Sequence, residues 1–219
     1  MKKLTTPKSP DEYFQKTEFA VKHAYDGIAA CWAYFQKGCT FMEPPVREGE
    51  MLVYSPPTTP EGKAKLKHGI ELQRKYFELK ISEAIFAGSI FQAAYMAIWL
   101  YKPPASIPKS LAHLVKPSHL AARFCTGKEC HGVQTGLIIY AARNQYNHWG
   151  EGEDLNALNK FIFDRLAQAF DDDIFADLAF ELTNPTINIY ANEILLTALR
   201  WHSYEIYLAE MKQLLNPAN

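Results

Sequence analysis

The sequence has no excess of charge of either sign and very little cysteine. Its 219 residues include 23 Lys and Arg, 24 Asp and Glu and four Cys, for a net charge of -1. A chain so close to neutrality does not coat nucleic acid by bulk charge, although a local basic surface is compatible with it. Four cysteines, with no apolar leader after the opening MKKLTTPKSP, do not indicate the disulfide scaffold of a secreted protein. We therefore expect a cytoplasmic protein.

Strand patterns are also scarce, whereas apolar residues recur at helical spacing along most of the chain. We expect helices at about 10–38, 60–101, 133–150, 154–170, 172–182 and 188–215, and two short helices within 105–131. A proline-rich loop at 39–60 is the one place where we expect strand. The pattern predicts one all-α domain over residues 1–219, a multi-helix bundle around a single core.

Single residues suggest where several of these helices begin, bend or end. Ser9 is a candidate N-cap of the first helix, and Asp154 of the helix that follows residue 150. Gly38 is a candidate end of the first helix. Gly69 and Gly88 are candidate kinks in the second.

Residues 84–101 are uncharged and approach the roughly 18–20 residues that cross a bilayer. Gly88, Ser89, Gln92 and Tyr95 dilute the apolar character, and a charged amphipathic pattern precedes the segment. We interpret it as a buried central helix that contacts the first helix and the helix at 133–150. A membrane-associated protein is the minor alternative.

The segment that suggests chemistry is Arg143-Asn144-Gln145-Tyr146-Asn147-His148, which follows the apolar run at 136–142. Polar groups in a buried helix are costly unless they are satisfied, so this segment serves either a structural network or a site. Five residues of ideal helix place Arg143 and His148 about 140° apart. Three arrangements could bring the two side chains together. The helix ends or tightens between them, the long arginine side chain reaches round to the histidine, or a second copy of the chain supplies its own Arg/His pair.

An arginine and a histidine together suit cleavage of RNA without a metal. Imidazole exchanges protons near neutral pH and can act on the ribose 2′-hydroxyl that attacks phosphorus. The planar guanidinium suits the charge that grows on the phosphoryl oxygens. Asparagine amides can orient the histidine or the phosphate.

Arg-Asn-x-x-x-His at the end of an apolar helix resembles the signature of the HEPN superfamily. The resemblance implies a helical bundle, a homodimer with two facing motifs, and a metal-independent ribonuclease of toxin–antitoxin, abortive-infection or other anti-phage systems. By this resemblance Arg143 binds the scissile phosphate, His148 is the general base or acid, and Asn144 is the polar auxiliary. An antitoxin or a partner protein of a defence complex would accompany it. The resemblance implies no cofactor.

Three further residues are candidate contacts for RNA. Asn147 belongs to the motif, and Arg123 and Lys128 belong to a stretch at 102–128 that is basic and contains no acid. This stretch is equally compatible with a solvated face. Cys125, Cys130 and His131 lack a second close pair, so we expect no metal site.

Two alternatives to the enzyme remain open. Arg143 and His148 can belong to an ion-pair and hydrogen-bond network at a helix end. The chain can also be a non-catalytic helical protein that binds or regulates others in a defence complex.

Overall fold

The architecture is all-α, as the helical periodicity predicts. The computed structural model describes residues 6–41, 46–48, 51–53, 56–148, 155–168, 180–182 and 191–216, with the backbone alone for His148 and for residues 46–48 and 51–53. The α-helices in this part of the chain are α1 Pro10–Thr40, α2 Pro60–Glu78, α3 Lys80–Tyr101, α4 Thr135–His148, α5 Ala157–Ala167, α6 Ala191–Glu193 and α7 Tyr204–Leu215. Short 3-10 helices at Lys109–Leu111 and Leu120–Phe124 confirm the two short helices expected before α4.

The contacts divide the chain into two compact units, one of residues 1–25 with 84–219 and one of residues 26–83. Helices α1 and α3 contribute residues to both. A single domain over residues 1–219 stays a prediction.

In the larger unit α3 is the central helix, as expected. Tyr13 of α1 donates its hydroxyl hydrogen to the Ala93 carbonyl of α3 at 2.9 Å. The ring of Tyr140 in α4 lies 6.2 Å from that of Tyr95 in α3. The interior of α3 is fully buried at Ile90, Phe91, Ala94, Ala97 and Ile98.

Within the described residues, α3 is also the one helix long and apolar enough to cross a membrane by length and composition. Half of its most apolar window is buried inside the protein. A core helix meets the same criterion.

The smaller unit contains a close crossing of α1 and α2, made by two glycines. A Cβ on Gly38 would lie 2.9 Å from the carbonyl oxygen of Gly69, and a Cβ on Gly69 would lie 2.9 Å from that of Gly38. The rings of Trp32 and Phe35 in α1 then pack on Tyr76 in α2, with centroids 5.7 and 5.3 Å apart. The glycines permit this approach. Helix α1 continues past Gly38 to Thr40, so the expectation that Gly38 ends α1 is wrong, whereas a bend of α2 at Gly69 stays a prediction.

The helical break in 60–101 falls at Leu79, between α2 and α3, and not at Gly88. Gly88 instead lies against α4, because a Cβ there would lie 2.5 Å from Cδ2 of Tyr146. The predicted N-cap of α1 is confirmed, since Ser9 Oγ accepts from the Glu12 amide at 3.2 Å.

Two antiparallel hairpins are present in the described residues. One pairs β1 Val46–Glu48 with β2 Met51–Val53, inside the proline-rich loop as expected. The other pairs β3 Glu129–Cys130 with β4 Val133–Gln134, so the expectation that strand is confined to 39–60 is wrong. Positive φ values of 52° at His131 and 72° at Gly132 form the tight two-residue turn that joins these strands.

The last third of the chain departs most from the predicted boundaries. The side chain of Asn156 caps α5 by accepting from the Asn159 amide at 2.9 Å, so the cap lies two residues after the predicted Asp154. Asp154 and most of the predicted helix at 172–182 lie outside the described residues, and residues 180–182, which are described, are not helical. The single helix expected at 188–215 is instead α6, a π-helical turn at Ile194–Ala198, and α7, which Ser203 caps. Arg200, which lies between them, has a positive φ of 55°.

Candidate functional site

The motif forms the final turns of α4, where Arg143 and Tyr146 contact α3. Residues 137–139 and 141–142 are fully buried, Arg143, Asn144 and Tyr146 are half-buried, Gln145 is buried, and Asn147 is exposed. Because α4 is helical through His148, the possibility that the helix ends or tightens between Arg143 and His148 is excluded. A sweeping arginine and a second copy remain as ways to bring the two residues together.

Arg143 is held by the amides of three residues. Its Nε donates to Gln92 Oε1 of α3 at 3.1 Å, and its Nη1 donates to Asn144 Oδ1 at 3.4 Å. With its amide in the orientation that turns oxygen toward donors, Asn147 accepts from Nε at 2.8 Å and from both Nη atoms at 3.2 Å. Arg143 and Asn147 are four residues apart and therefore share a face of α4.

The guanidinium also lies over an aromatic ring. Its Cζ is 4.9 Å from the centre of the Tyr95 ring, which orients the plane of the cation by a cation–π contact. Tyr95 is 8% exposed, and burial raises the pKa of its hydroxyl, whereas the charge of Arg143 acts in the opposite direction. Tyr95 therefore stays neutral near pH 7 and adds no negative charge to the site.

None of the partners of Arg143 in the described part of the chain is a carboxylate. Amide oxygens and an aromatic face orient the cation without neutralising it. A half-buried guanidinium with a full positive charge is suited to bind an anion. Arginine has five N–H donors, and these contacts leave at least one on Nη2 for a ligand.

The motif residues Arg143, Asn144 and Asn147 thus come together in one cluster, joined by Gln92 and Tyr95. These last two were not among the candidate site residues of the sequence. Gln92 is the lone amide in an apolar helix, and this polar interruption was the available signal. The side chain of His148 lies outside the described residues, and its place in the site stays a prediction.

Arg123 and Lys128 have partners away from this cluster. Nη1 of Arg123 donates to the backbone carbonyls of Lys102 at 2.6 Å and Trp99 at 3.3 Å, so it caps the end of α3. Trp99 is seven residues beyond Gln92, or about 10 Å along the axis of α3. Lys128 forms an ion pair with Glu210 of α7 at 2.5 Å.

Lys128 and Glu210 line a cleft of about 250 Å³ together with Thr126, Gly127, Thr135, Gln213 and Leu214. Lys128 and Glu210 are the charged residues among those that line the cleft, and their charges offset each other. A direct role for Lys128 in contacting RNA stays a prediction.

The candidate metal ligands donate to the backbone. Sγ of Cys130 donates to the carbonyl of Ala198 at 3.0 Å, and Sγ of Cys125 lies 3.7 Å from that of Ala121. Burial raises the pKa of both thiols, which disfavours the thiolate that a metal would bind.

Comparisons with known proteins assign no family. No protein-family description, curated protein or solved structure matches this chain. The function is therefore argued from the Arg143 cluster.

Proposed function

We propose that the chain is a metal-independent endoribonuclease of the HEPN type, with a toxin or anti-phage role in the cytoplasm. The observation that carries the proposal is the oriented, uncompensated charge of Arg143. Three amides and the Tyr95 ring hold its guanidinium, and no carboxylate in the described residues neutralises it. Such a group is suited to the developing negative charge of a phosphoryl transfer.

In the proposed reaction His148 takes the proton of a ribose 2′-hydroxyl. The 2′-oxygen bonds to phosphorus, the bond from phosphorus to the 5′-oxygen breaks, and the 5′-oxygen takes up a proton. Arg143 binds the phosphoryl oxygens as their charge grows, and Asn144 and Asn147 keep its plane fixed. The products carry a 2′,3′-cyclic phosphate and a 5′-hydroxyl.

A homodimer is part of the proposal. Since the α-helix continues to His148, residues 143 and 148 occupy positions about 140° apart around the helix on one copy. A second copy that presents its own motif would bring one His148 toward the other Arg143. An antitoxin or a partner protein in a defence complex would restrain the dimer.

The experiment is cleavage of mixed cellular RNA by the purified protein, in the presence of a chelator. Arg143→Ala and His148→Ala should each lower the rate strongly, by about 10²–10⁴-fold for loss of the proton-transfer group. Matched controls are the exposed residues Arg165 and His202, whose replacement by Ala should leave the rate unchanged. Circular dichroism checks that every variant is folded. Activity that persists in both folded motif variants contradicts the proposal.

A non-catalytic helical binding protein is the second candidate. The observation that favours it is that Arg143 already donates hydrogen bonds within the chain, to Gln92, Asn144 and Asn147. In that case RNA stays intact, and Arg143→Ala lowers stability instead of activity. Thermal unfolding of Arg143→Ala beside the cleavage assay separates the two functions.

A further inference from the structure

The segment that follows α3 carries positive charges without paired carboxylates. Residues 84–128 contain no Asp or Glu but include five Lys and Arg. Two of these five are engaged with other groups, because Arg123 caps α3 and Lys128 pairs with Glu210. The remaining three form no ion pair within the described residues: Lys102, Lys109 and Lys116. A chain with a net charge of -1 therefore has a local surface that attracts anions.

Hydrogen bonds fold this segment back onto the end of α3. Nη1 of Arg123 donates to the backbone carbonyls of Trp99 and Lys102, in the last turn of α3 and just after it. The amide of His119 donates to the carbonyl of Lys116 at 2.9 Å, in the turn that leads into the 3-10 helix of Arg123. The turn that carries Lys116 therefore lies at the same end of α3 as Lys102.

The side chain of Trp99 is exposed at this end of α3. It is 44% exposed, although tryptophan is on average highly buried in folded proteins. Within the described residues the indole makes no ring contact and no hydrogen bond with another side chain. Proteins that bind single-stranded nucleic acid combine such rings, on which bases stack, with cations that hold the phosphates. The end of α3 has both components.

Trp99 lies on the side of α3 that leads to Arg143. Gln92, which accepts from Nε of Arg143 at 3.1 Å, precedes Trp99 by seven residues. Seven residues are close to two turns, so the two side chains leave α3 within about 20° of each other and about 10 Å apart along its axis. About three nucleotides cover that distance at a stacked rise of about 3.4 Å each. One strand can therefore contact Trp99 and place a phosphate at Arg143.

We propose that Trp99, Lys102, Lys109 and Lys116 bind a single strand of RNA to one side of the phosphate at Arg143. We call these four residues the Trp99 surface. This mode of binding rests on the proposed function for the role of Arg143, and it adds the form of RNA that the site accepts. Bases in a duplex are already paired and stacked, whereas an unpaired base is open to the face of an indole. The preferred substrate is therefore single-stranded RNA.

A strand of nucleic acid fits these residues better than a membrane surface does. Tryptophan and lysine also occur together at lipid headgroups. On this side of α3, however, the half-buried guanidinium of Arg143 lies about two turns from Trp99. A lipid surface that covered both would remove water from that charge and from Gln92, which costs free energy. A nucleic acid strand offers phosphates in series along the same line.

The test is binding of a labelled single strand of about 12 nucleotides, which lies within the site sizes of single-strand binders. Its riboses carry 2′-O-methyl groups, so no 2′-hydroxyl is available for attack and the wild-type protein can be used. Fluorescence anisotropy measures the dissociation constant over a range of salt concentration. If the three lysines and Arg143 each neutralise one phosphate, the logarithm of the association constant should fall against that of salt with a slope of about -3. A duplex of the same sequence should bind more weakly, and equal affinity would contradict stacking on Trp99.

Variants assign this binding to the Trp99 surface. Trp99→Ala should weaken it about 5-fold or more through the loss of one stacked base, whereas Trp99→Phe keeps a ring and should retain most of the affinity. Replacement of its three lysines by Ala should make the salt slope shallower by about 2. The matched controls are Phe19→Ala, at a position that is 74% exposed in α1, and Lys63→Ala/Lys65→Ala/Lys67→Ala, which removes the same charge from α2. Both controls should bind the strand as the wild type does.

Binding and cleavage together separate this surface from the proposed reaction. If Trp99→Ala and the triple lysine variant weaken binding while the wild type leaves RNA intact, the Trp99 surface is supported and the ribonuclease is not. If the wild type cleaves RNA but neither change alters binding beyond the controls, the Trp99 surface is overturned and the ribonuclease stands. A wild type that does not bind the strand also overturns the surface. Loss of binding to anionic vesicles, but not to the strand, in these variants would assign the residues to lipid and overturn the proposal.

Discussion

The contact between Gly88 and Tyr146 fixes how α3 and α4 approach each other beside the candidate site. A Cβ on residue 88 would lie 2.5–2.6 Å from Cδ2, Cε2 and Cγ of the tyrosine ring. Carbon atoms in contact are normally about 3.5–4.0 Å apart. Gly88→Ala therefore forces the ring, or α4 itself, to move by about 1 Å. These atoms belong to the inner part of the ring, so rotation of a flexible end cannot relieve the clash.

We expect Gly88→Ala to lower the free energy of unfolding. Overpacking of a filled interior costs about 1–3 kcal/mol. Replacement of a helical glycine by alanine returns about 0.5–1 kcal/mol. The net loss should be about 1 kcal/mol, which lowers the melting temperature by about 2–4 °C in a chain of this size.

A double-mutant cycle measured by urea unfolding checks the cause. With Tyr146→Ala as background, Gly88→Ala should become stabilising, because the clash is gone and the helix preference remains. Ser89→Ala is the control on the next, exposed position of α3 and should change stability by less than about 0.5 kcal/mol. If Gly88→Ala stabilises the wild-type chain, the proposed approach of α3 and α4 is wrong.

Three further outcomes are expected. Burial raises the pKa of Tyr13 from 10.0 to about 12. The stabilisation that the neutral hydroxyl provides is therefore complete below pH 10 and is lost as the pH rises toward 12. Between pH 9 and 11 the free energy of unfolding in urea should fall less for Tyr13→Phe than for wild type. Arg123→Ala removes the cation that caps α3 and should cost about 1.5–3 kcal/mol in thermal unfolding, whereas Lys109→Ala on the exposed surface should cost almost nothing. Gln92→Leu removes one acceptor of Arg143, and we expect slower RNA cleavage with a smaller loss than for Arg143→Ala; an unchanged rate would remove Gln92 from the positioning of the cation.

The fold class and the central place of α3 could be predicted from local patterns. The cap at Ser9 was visible because its partner, Glu12, lies three residues away. The hairpin at 129–134 was missed because two-residue strands carry no measurable alternation. Its turn residues, His131 and Gly132, were the only signal.

The glycines show why close approaches are hard to predict from sequence. A glycine in a helical pattern indicates an end, a kink or a crossing equally well. At Gly38 and Gly69 the missing side chain allows two helices to cross closely. At Gly88 it leaves room for a ring from α4. These partners are 31 and 58 positions away along the chain, so no local pattern identifies them.

In the candidate site, too, some contacts could be predicted from local spacing and others could not. The pairing of Arg143 with Asn147 follows from the four-residue spacing within the motif, and Asn144 is its neighbour in the chain. Gln92 and Tyr95 come from α3, about 50 residues earlier, and only packing brings them to the guanidinium. The partners of Arg123 lie 21 and 24 positions away and that of Lys128 lies 82 positions away, so the local sequence left their basic stretch compatible with both a surface and a binding role.

The most direct test of the central claim is the chemical end left on RNA. Wild-type protein in EDTA should produce fragments with 2′,3′-cyclic phosphate ends, because the attacking oxygen is the substrate's own 2′-hydroxyl. DNA should remain intact, and the cyclic ends should be missing with folded Arg143→Ala and His148→Ala. Cyclic ends that form at the wild-type rate in both variants, or RNA that the wild type leaves intact, would contradict the claim that Arg143 and His148 form a ribonuclease site.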